Sequence, residues 1–324
     1  MNNFKKIGMT ALAASLVSTS VFAGELTASG SASINFENHG KSDASLSEAK
    51  TFSMGNAITL TGSGELDNGM TVTLSYQLDE GANASSTATS LFDNHSVTIS
   101  SDAMGTLKFN GHGGASAASS IGGTVGGNMW DNFNSGNQGG TTLNNSAPGN
   151  NSFFYTLPSM MDDLAVTASF EPQNAANNTA SEMGFGFTYT GVDGLSASYA
   201  TSEIETYASG TSGDENVWKI SYAINSLTFA ASNTQYDLGT ATSDQEVESY
   251  KVSYSVTDDL SVSYKTEEIT VGTASQVDAE FEGVSASYTA GGMTISANMQ
   301  DGKNVGNTTS ASQDYYGLGL SFAF

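Results

Sequence analysis

The histidines and the glycine-rich stretches are the residues of this sequence that could do chemistry. His39, His95 and His112 show no HExxH or comparable metal-ligand spacing, so they do not indicate a zinc centre. No GxSxG motif marks a nucleophilic serine, and the glycines within 122–127 form neither a GxGxxG pattern nor a Walker motif with its lysine. The sequence therefore predicts no enzyme, no cofactor and no metal centre.

Charge and cysteine content narrow the classes of partner. The nine basic residues are all lysines, the acidic residues number 33, and the formal net charge is −24. A chain without a basic patch is not expected to bind nucleic acid, because that binding depends on cationic contacts to phosphates. The absence of cysteine means that an exported form of the chain would be held together without disulfides.

The N-terminus has the order of features that marks a secretory signal. Lys5 and Lys6 precede an apolar stretch over 9–17, and a small-residue site follows that ends at Ala23. This order predicts a signal peptide over 1–23, cleaved to leave 24–324 as the mature chain. After it, no run of 18 or more apolar residues occurs, which excludes helical membrane spans.

Strict alternation of apolar and polar residues is the main structural signal, and it is clearest in 69–79, 216–225 and 259–269. A period of two residues indicates strands with one apolar face. The pattern predicts sixteen strands, at 25–37, 50–66, 69–79, 92–101, 105–111, 151–158, 163–171, 182–190, 194–202, 216–225, 226–236, 246–256, 259–269, 278–290, 292–300 and 313–324.

The connections between these segments alternate between short turns and long polar loops, of which 112–150 is the longest. Short turns at one end and long loops at the other are typical of a meandering membrane barrel. The predicted fold is therefore all-β: a transmembrane antiparallel up-and-down β-barrel of about 16 strands over 24–324. The short turns would be periplasmic and the long loops outside.

Three segments resemble the general porins of Gram-negative outer membranes. The last strand carries an apolar row that ends on an aromatic residue, and the opening 25–30 and the segment 151–159 are similar to the first and sixth porin strands. The row consists of Tyr316, Leu318, Leu320, Phe322 and Phe324. The resemblance implies a water-filled channel for small hydrophilic solutes, a homotrimer in outer-membrane lipid and lipopolysaccharide, and recognition of the last strand by the barrel-insertion machinery.

The resemblance also implies that 112–150, which follows the fifth strand, folds into the barrel as a constriction. Strand parity then gives the residues expected to line the pore or its constriction. They are Lys108, Asn110, His112, Asp131, Glu171, Glu182, Lys219, Lys251 and Lys265. Porins commonly place arginines opposite the acidic residues of this loop, and the absence of arginine here puts a strong transverse field in doubt.

The acidic excess leads to the hypothesis of a weakly cation-selective pore, because rings of carboxylates raise the local cation concentration. Two other functions stay open at this point. One is a substrate-specific channel or a structural barrel in the same membrane. The other is a secreted β-rich adhesin or surface protein, which the final aromatic residue and the one-sided apolar pattern argue against.

Overall fold

The computed structural model describes most of the chain apart from its beginning and several connections. The described residues are 26–40, 49–79, 94–133, 143, 146, 150–159, 161–173, 180–205, 212–239, 244–273 and 275–324. The predicted signal peptide, 1–23, lies outside these residues.

Sixteen strands form one closed sheet, as the sequence predicts. The strands are β1 Leu26–His39, β2 Ala49–Glu65, β3 Thr71–Asp79, β4 Asn94–Ser101, β5 Gly105–His112, β6 Ser152–Thr156, β7 Leu164–Glu171, β8 Glu182–Tyr189, β9 Leu195–Glu205, β10 Ser212–Ile224, β11 Leu227–Asp237, β12 Gln245–Ser255, β13 Leu260–Val271, β14 Ala279–Ala290, β15 Met293–Lys303 and β16 Gln313–Ala323.

Each strand pairs antiparallel with its neighbours in sequence, and β1 pairs with β16 to close the barrel. The predicted up-and-down topology is thus confirmed. The described residues outside the strands include a short helix, α1 (Ala117–Ser120), and two 3-10 helices at Met129–Phe133 and Val305–Asn307. No helix among the described residues is long and apolar enough to cross a membrane.

The two faces of the strands differ in polarity because successive side chains point to opposite sides. Val262, Ala286, Ala297 and Leu318 lie opposite one another on neighbouring strands and form a row on the outer face. Large apolar side chains on this face are exposed, including Leu318 at 53%. Such a surface is stable only against lipid, where apolar groups need no water.

Gly30 lies at the contact where the first strand meets the end of the last strand. Gly30 and Phe324 exchange backbone hydrogen bonds, with N···O distances of 2.7 and 3.0 Å. A Cβ atom at Gly30 would lie 2.5 Å from the ring of Phe324. Glycine at this position therefore leaves room for the terminal aromatic ring against β1.

The short connections adopt tight turns at one end of the barrel. They are residues 66–70, 102–104, 157–163, 190–194, 225–226, 256–259 and 291–292. Gly291 and Gly292 form a two-residue turn with φ angles of 59° and 82°, which glycine adopts without strain. The other eight connections lie at the opposite end and are longer on average, from six residues at 206–211 to 39 at 113–151, so the predicted sorting of turns and loops is confirmed.

The two faces of β13 provide a test of membrane placement. We expect Val262→Lys, on the outer face, to destabilise the barrel by about 2–4 kcal/mol, because a charge near the bilayer midplane is costly. Ser263→Lys is the matched control, since Ser263 faces inward and bonds the hydroxyl of Ser285 at 2.7 Å. Equilibrium unfolding in lipid vesicles measures both. Equal losses for the two variants would contradict the assignment of faces.

Candidate functional site

The connection between β5 and β6, called the inner loop below, lies against the inside of the barrel wall. Its backbone N–H groups donate to serine hydroxyls that point inward from four strands. The bonds are Ala117 N to Ser169 Oγ at 2.9 Å, Ala118 N to Ser202 Oγ at 3.0 Å, Val125 N to Ser232 Oγ at 3.0 Å and Gly126 N to Ser249 Oγ at 2.8 Å. The loop is thereby fixed along the wall from β7 to β12.

Two wall lysines bind the same loop through its carbonyl groups. The ammonium of Lys219 donates to the carbonyls of Ile121, at 3.0 Å, and Gly123. The ammonium of Lys265 donates to the carbonyl of Gly126 at 2.8 Å. These interactions direct the two positive charges toward the loop backbone.

Glu267 is the acidic anchor of the loop. It is 3% exposed and accepts hydrogen bonds from the Thr124 hydroxyl, the Met129 backbone N–H and, at 3.3 Å, the Ser249 hydroxyl. Hydrogen bonds to an ionised carboxylate are stronger than neutral ones. In this turn of the loop, Glu267 therefore accepts from the Thr124 hydroxyl and the Met129 N–H, and Lys265 donates to the Gly126 carbonyl.

Apolar packing fixes the next part of the loop. Met129, Trp130 and Phe133 are buried against the inner face, and the ring of Phe133 lies 5.2 Å from that of Phe281 and 6.2 Å from that of Tyr315. Inward-facing residues of β11 to β14 complete this cluster; they include Tyr236, Val247, Ile269 and Phe281. This part of the loop thus covers an apolar patch of the inner wall.

The returning arm of the loop is fixed by Glu215 on β10. The backbone N–H and the hydroxyl of Ser146 donate to one oxygen of Glu215 at 2.7 and 2.6 Å. The Ser146 hydroxyl also bonds that of Ser116, on the outgoing arm. The two arms are therefore tied to each other and to the wall.

The wall from β1 to β6 lies opposite the covered part of the barrel. Its inward-facing residues are mostly serine, threonine, asparagine and glutamine, including Ser33 and Asn35 on β1, Thr59 and Thr61 on β2, and Thr73, Ser75 and Gln77 on β3. Lys108 and Asn110 project inward from β5, and Lys108 is partly exposed whereas Asn110 is buried. Asp131 is exposed on the loop between the buried Met129 and Phe133.

The other sequence-predicted lining residues fall into two groups. Lys251 lies on the inner face and is partly exposed. Lys219 and Lys265 lie on the same face but bond the loop, and Glu171 and Glu182 are buried behind it at 7% and 6% exposure. Inward orientation therefore does not by itself give contact with the water in the pore.

His112 lies on the outer face of the barrel, whereas parity from Lys108 predicts the lumen. A β-bulge causes the difference: His95 pairs with His112, the next pair involves Asn110, and Gly111 is the extra residue. The His112 ring lies 6.5 Å from that of His95, which stacks in turn on Tyr76 of the outer face. A shift of one residue moves a side chain to the other face.

Sequence reasoning named Lys219 and Lys265 as lining residues but missed the other residues that hold the loop. In the sequence, the anchoring serines and Glu215 cannot be distinguished from other polar residues that face the lumen. Serine in particular is abundant throughout the chain. One usable signal was the inward parity of Val247, Ile269 and Phe281, because apolar side chains on a polar lumen face indicate that something covers them.

A closed sixteen-strand barrel with an apolar outer face, a polar inner wall and an inward-folded loop defines a membrane channel of the porin class. The model of the Gram-negative porin family matches residues 8–265 of this sequence. The chain belongs to this family. No curated protein sequence matches it.

Solved porin structures share the fold at low sequence identity. The anion-selective porin from Comamonas acidovorans is 15% identical with a TM-score of 0.69, and the match covers 93% of this chain and 100% of that one. OmpF from Salmonella typhi, in complex with daunomycin, is 13% identical with a TM-score of 0.68, covering 93% and 98%. A triple mutant of Rhodopseudomonas blastica porin is 16% identical with a TM-score of 0.61, covering 93% and 100%.

Removing the acidic anchor should release the inner loop. We expect Glu267→Ala to increase open-channel current noise and spontaneous closures, because Thr124 and Met129 lose a charged acceptor worth roughly 1.5–3 kcal/mol per bond. Single-channel recording measures the effect. Glu37→Ala, which removes an inward carboxylate from the opposite wall, is the control. A quiet Glu267→Ala channel would show that the loop does not depend on this anchor.

Proposed function

We propose that this protein is an outer-membrane channel for passive diffusion of small hydrophilic solutes and ions. The observation that carries the proposal is the position of the inner loop, which is pinned along β7 to β16 and stands opposite the polar wall of β1 to β6. Solutes would pass between that wall and the loop. The family membership and the barrel fold both point to the Gram-negative outer membrane.

We further propose that the channel is weakly cation-selective. Within the described barrel, the accessible inward-facing charges on wall and loop are Glu37, Glu65, Asp79 and Asp131 against Lys108 and Lys251. The short turns add exposed carboxylates and contain no lysine. These are Asp67, Asp102, Asp162, Asp163, Asp193, Asp258 and Asp259. Carboxylates around a pore mouth attract cations and repel anions.

The selectivity is expected to be weak because several inward-facing charged groups bond the inner loop and do not face the pore. Lys219 and Lys265 bond loop carbonyls, and Glu215 and Glu267 bond loop donors. Lys108 is the accessible positive charge of β5, and Asp131 is the exposed negative charge of the loop. Because these two charges balance, the net charge of the constriction itself is close to zero. Selectivity would then arise mainly at the acidic mouth.

Three partner assignments belong to this proposal. A homotrimer is supported by the outer face of β1 and β2, where Phe52 is 76% and Met54 56% exposed on β2 and the paired strand β1 carries the small residues Ala28 and Ala32. Contact with lipopolysaccharide is supported by the exposed apolar face of the barrel. Recognition by the insertion machinery is supported by the apolar row of β16 that ends at Phe324.

Planar bilayers test the function directly. Purified, folded protein under a salt gradient should give large ohmic current steps. The reversal potential should be small and of cation-selective sign. A reversal potential of the opposite sign would refute the selectivity but not the diffusion channel. Conductance that saturates with one class of solute would favour a substrate-specific channel, and folded protein without steps would favour a structural barrel.

A charge reversal at the constriction tests the assigned path. We expect Lys108→Glu to shift the reversal potential further toward cation selectivity, because it removes the accessible positive charge of β5. Lys303→Glu makes the same change of charge on the outer face, where Lys303 pairs with Glu280 at 3.4 Å, and should leave the reversal potential unchanged. Equal shifts in both variants would contradict a path past Lys108.

A further inference from the structure

One aromatic side chain of the inner wall is left partly exposed to the pore. Phe154 lies on β6 and faces inward, opposite the inward-facing Lys108 and Ser169 of its two neighbouring strands. The other inward-facing Phe and Tyr side chains of the described strands are buried in the cluster beneath the inner loop; they are Tyr236, Phe281 and Tyr315. Phe154 is therefore an apolar ring in an otherwise polar part of the wall.

The packing of the inner loop does not account for this ring. The helix α1 covers the wall from β7 to β10, where it forms a small apolar cluster with Ala200 and Val217. Phe154 belongs neither to this cluster nor to the larger one around Phe133. It stands on the strand next to the covered region, at the edge of the open path. Because apolar area that stays in water costs free energy, the ring would gain from a solute that covers it.

The accessible cation of β5 stands directly beside this ring. Lys108 and Phe154 form a cross-strand pair, in which the two Cβ atoms lie about 5 Å apart. Whereas Lys219 and Lys265 bond the loop, Lys108 forms no hydrogen bond or ion pair with the described part of the chain. The Thr98 hydroxyl faces Lys108 from β4. The ammonium of Lys108 is thus free to bind an anion from the pore, with a hydroxyl donor next to it.

A free ammonium beside an exposed ring suits a solute that is both anionic and aromatic. A carboxylate accepts charge-assisted hydrogen bonds from an ammonium group, and an aromatic group on the same molecule packs against a phenyl ring. A small aliphatic acid would use only the lysine, and a neutral aromatic molecule would use only the ring. An aromatic cation would be attracted by the ring but repelled by the lysine.

We propose that Lys108 and Phe154 form a weak binding subsite for aromatic monocarboxylates on the pore wall. The proposal rests on the proposed diffusion function and names a class of solute that the channel retains briefly. Ser169, the next residue of the same row, accepts a hydrogen bond from Ala117 of the loop, so the subsite borders on the constriction. It is compatible with weak cation selectivity, because the selectivity for inorganic ions is assigned to the carboxylates of the mouth.

Open-channel current in planar bilayers tests the subsite. Phenylacetate, acetate and phenylacetamide are titrated at constant KCl, and the concentration that halves the current is determined for each. We expect the half-blocking concentration of phenylacetate to be at least about fivefold lower than those of acetate, which lacks the ring, and phenylacetamide, which lacks the charge. An equal half-blocking concentration for phenylacetate and either of the other probes would overturn the proposal.

Two adjacent phenylalanines provide a matched pair of variants. Phe154→Leu should reduce the preference for phenylacetate over acetate at least about threefold, because an aliphatic side chain does not stack on a ring. Phe153→Leu makes the same change one residue away on the lipid face and should leave the preference unchanged. Heat-modifiable migration on gels establishes that both variants are folded. Equal effects of the two variants on the preference, or no effect of either, would overturn the role of Phe154.

Two inward-facing lysines separate local binding from a general effect of charge. Lys108→Gln should raise the half-blocking concentration of phenylacetate at least about fivefold. Lys251→Gln removes the same charge from β12, where the paired inward residues are Ala230 and Lys265 and include no ring, and should have a clearly smaller effect. Equal effects would mean that any wall lysine serves, which would contradict a subsite at Lys108.

The same recordings separate failure of the subsite from failure of the channel. Folded protein without current steps would refute the diffusion channel and the subsite with it. Normal ohmic steps that respond alike to phenylacetate and acetate would refute the subsite alone. Higher KCl should weaken the block by phenylacetate, because salt screens the attraction between a carboxylate and an ammonium group.

Discussion

The need to satisfy every backbone hydrogen bond inside an apolar bilayer is the constraint on which this structure depends. A sheet with open edges would leave N–H and C=O groups unpaired in lipid, at a cost of several kcal/mol each. Pairing of β1 with β16 removes both edges. Once the barrel is closed, the two-residue period puts apolar side chains toward lipid and polar ones toward the lumen, so the channel follows from the same constraint.

Closure creates a lumen, and the inner loop decides how much of it is open. The loop enters an environment with little water, where its own backbone groups need partners. The wall provides them: serine hydroxyls and Glu267 for the N–H groups, and Lys219 and Lys265 for the carbonyls. Charges on the wall are therefore used to hold the loop, so a chain without arginine still fixes this loop inside the barrel.

Near the end of the barrel that carries the long loops, the inner face of the strands becomes apolar and the outer face becomes acidic. The inner loop accounts for the change on the inner face. On β12 to β14 the inner face carries Val247, Ile269 and Phe281, which pack under the loop. The outer face at the same level carries carboxylates, including Glu248, Glu268 and Glu280, in direct register. The strands extend there beyond the apolar band, so the outer face meets a polar environment while the inner face meets the loop.

The sequence by itself determined the number of strands, their approximate bounds, their apolar faces and the sorting of turns and loops, because these follow from a local period of two residues. It could not determine the bulge at Gly111 that turns His112 outward. Nor could it show that Lys219 bonds Ile121 or that Glu171 meets Glu182 behind the loop. Those contacts join residues far apart in the chain or across a hairpin, and only the register of the closed barrel and the path of the loop bring them together.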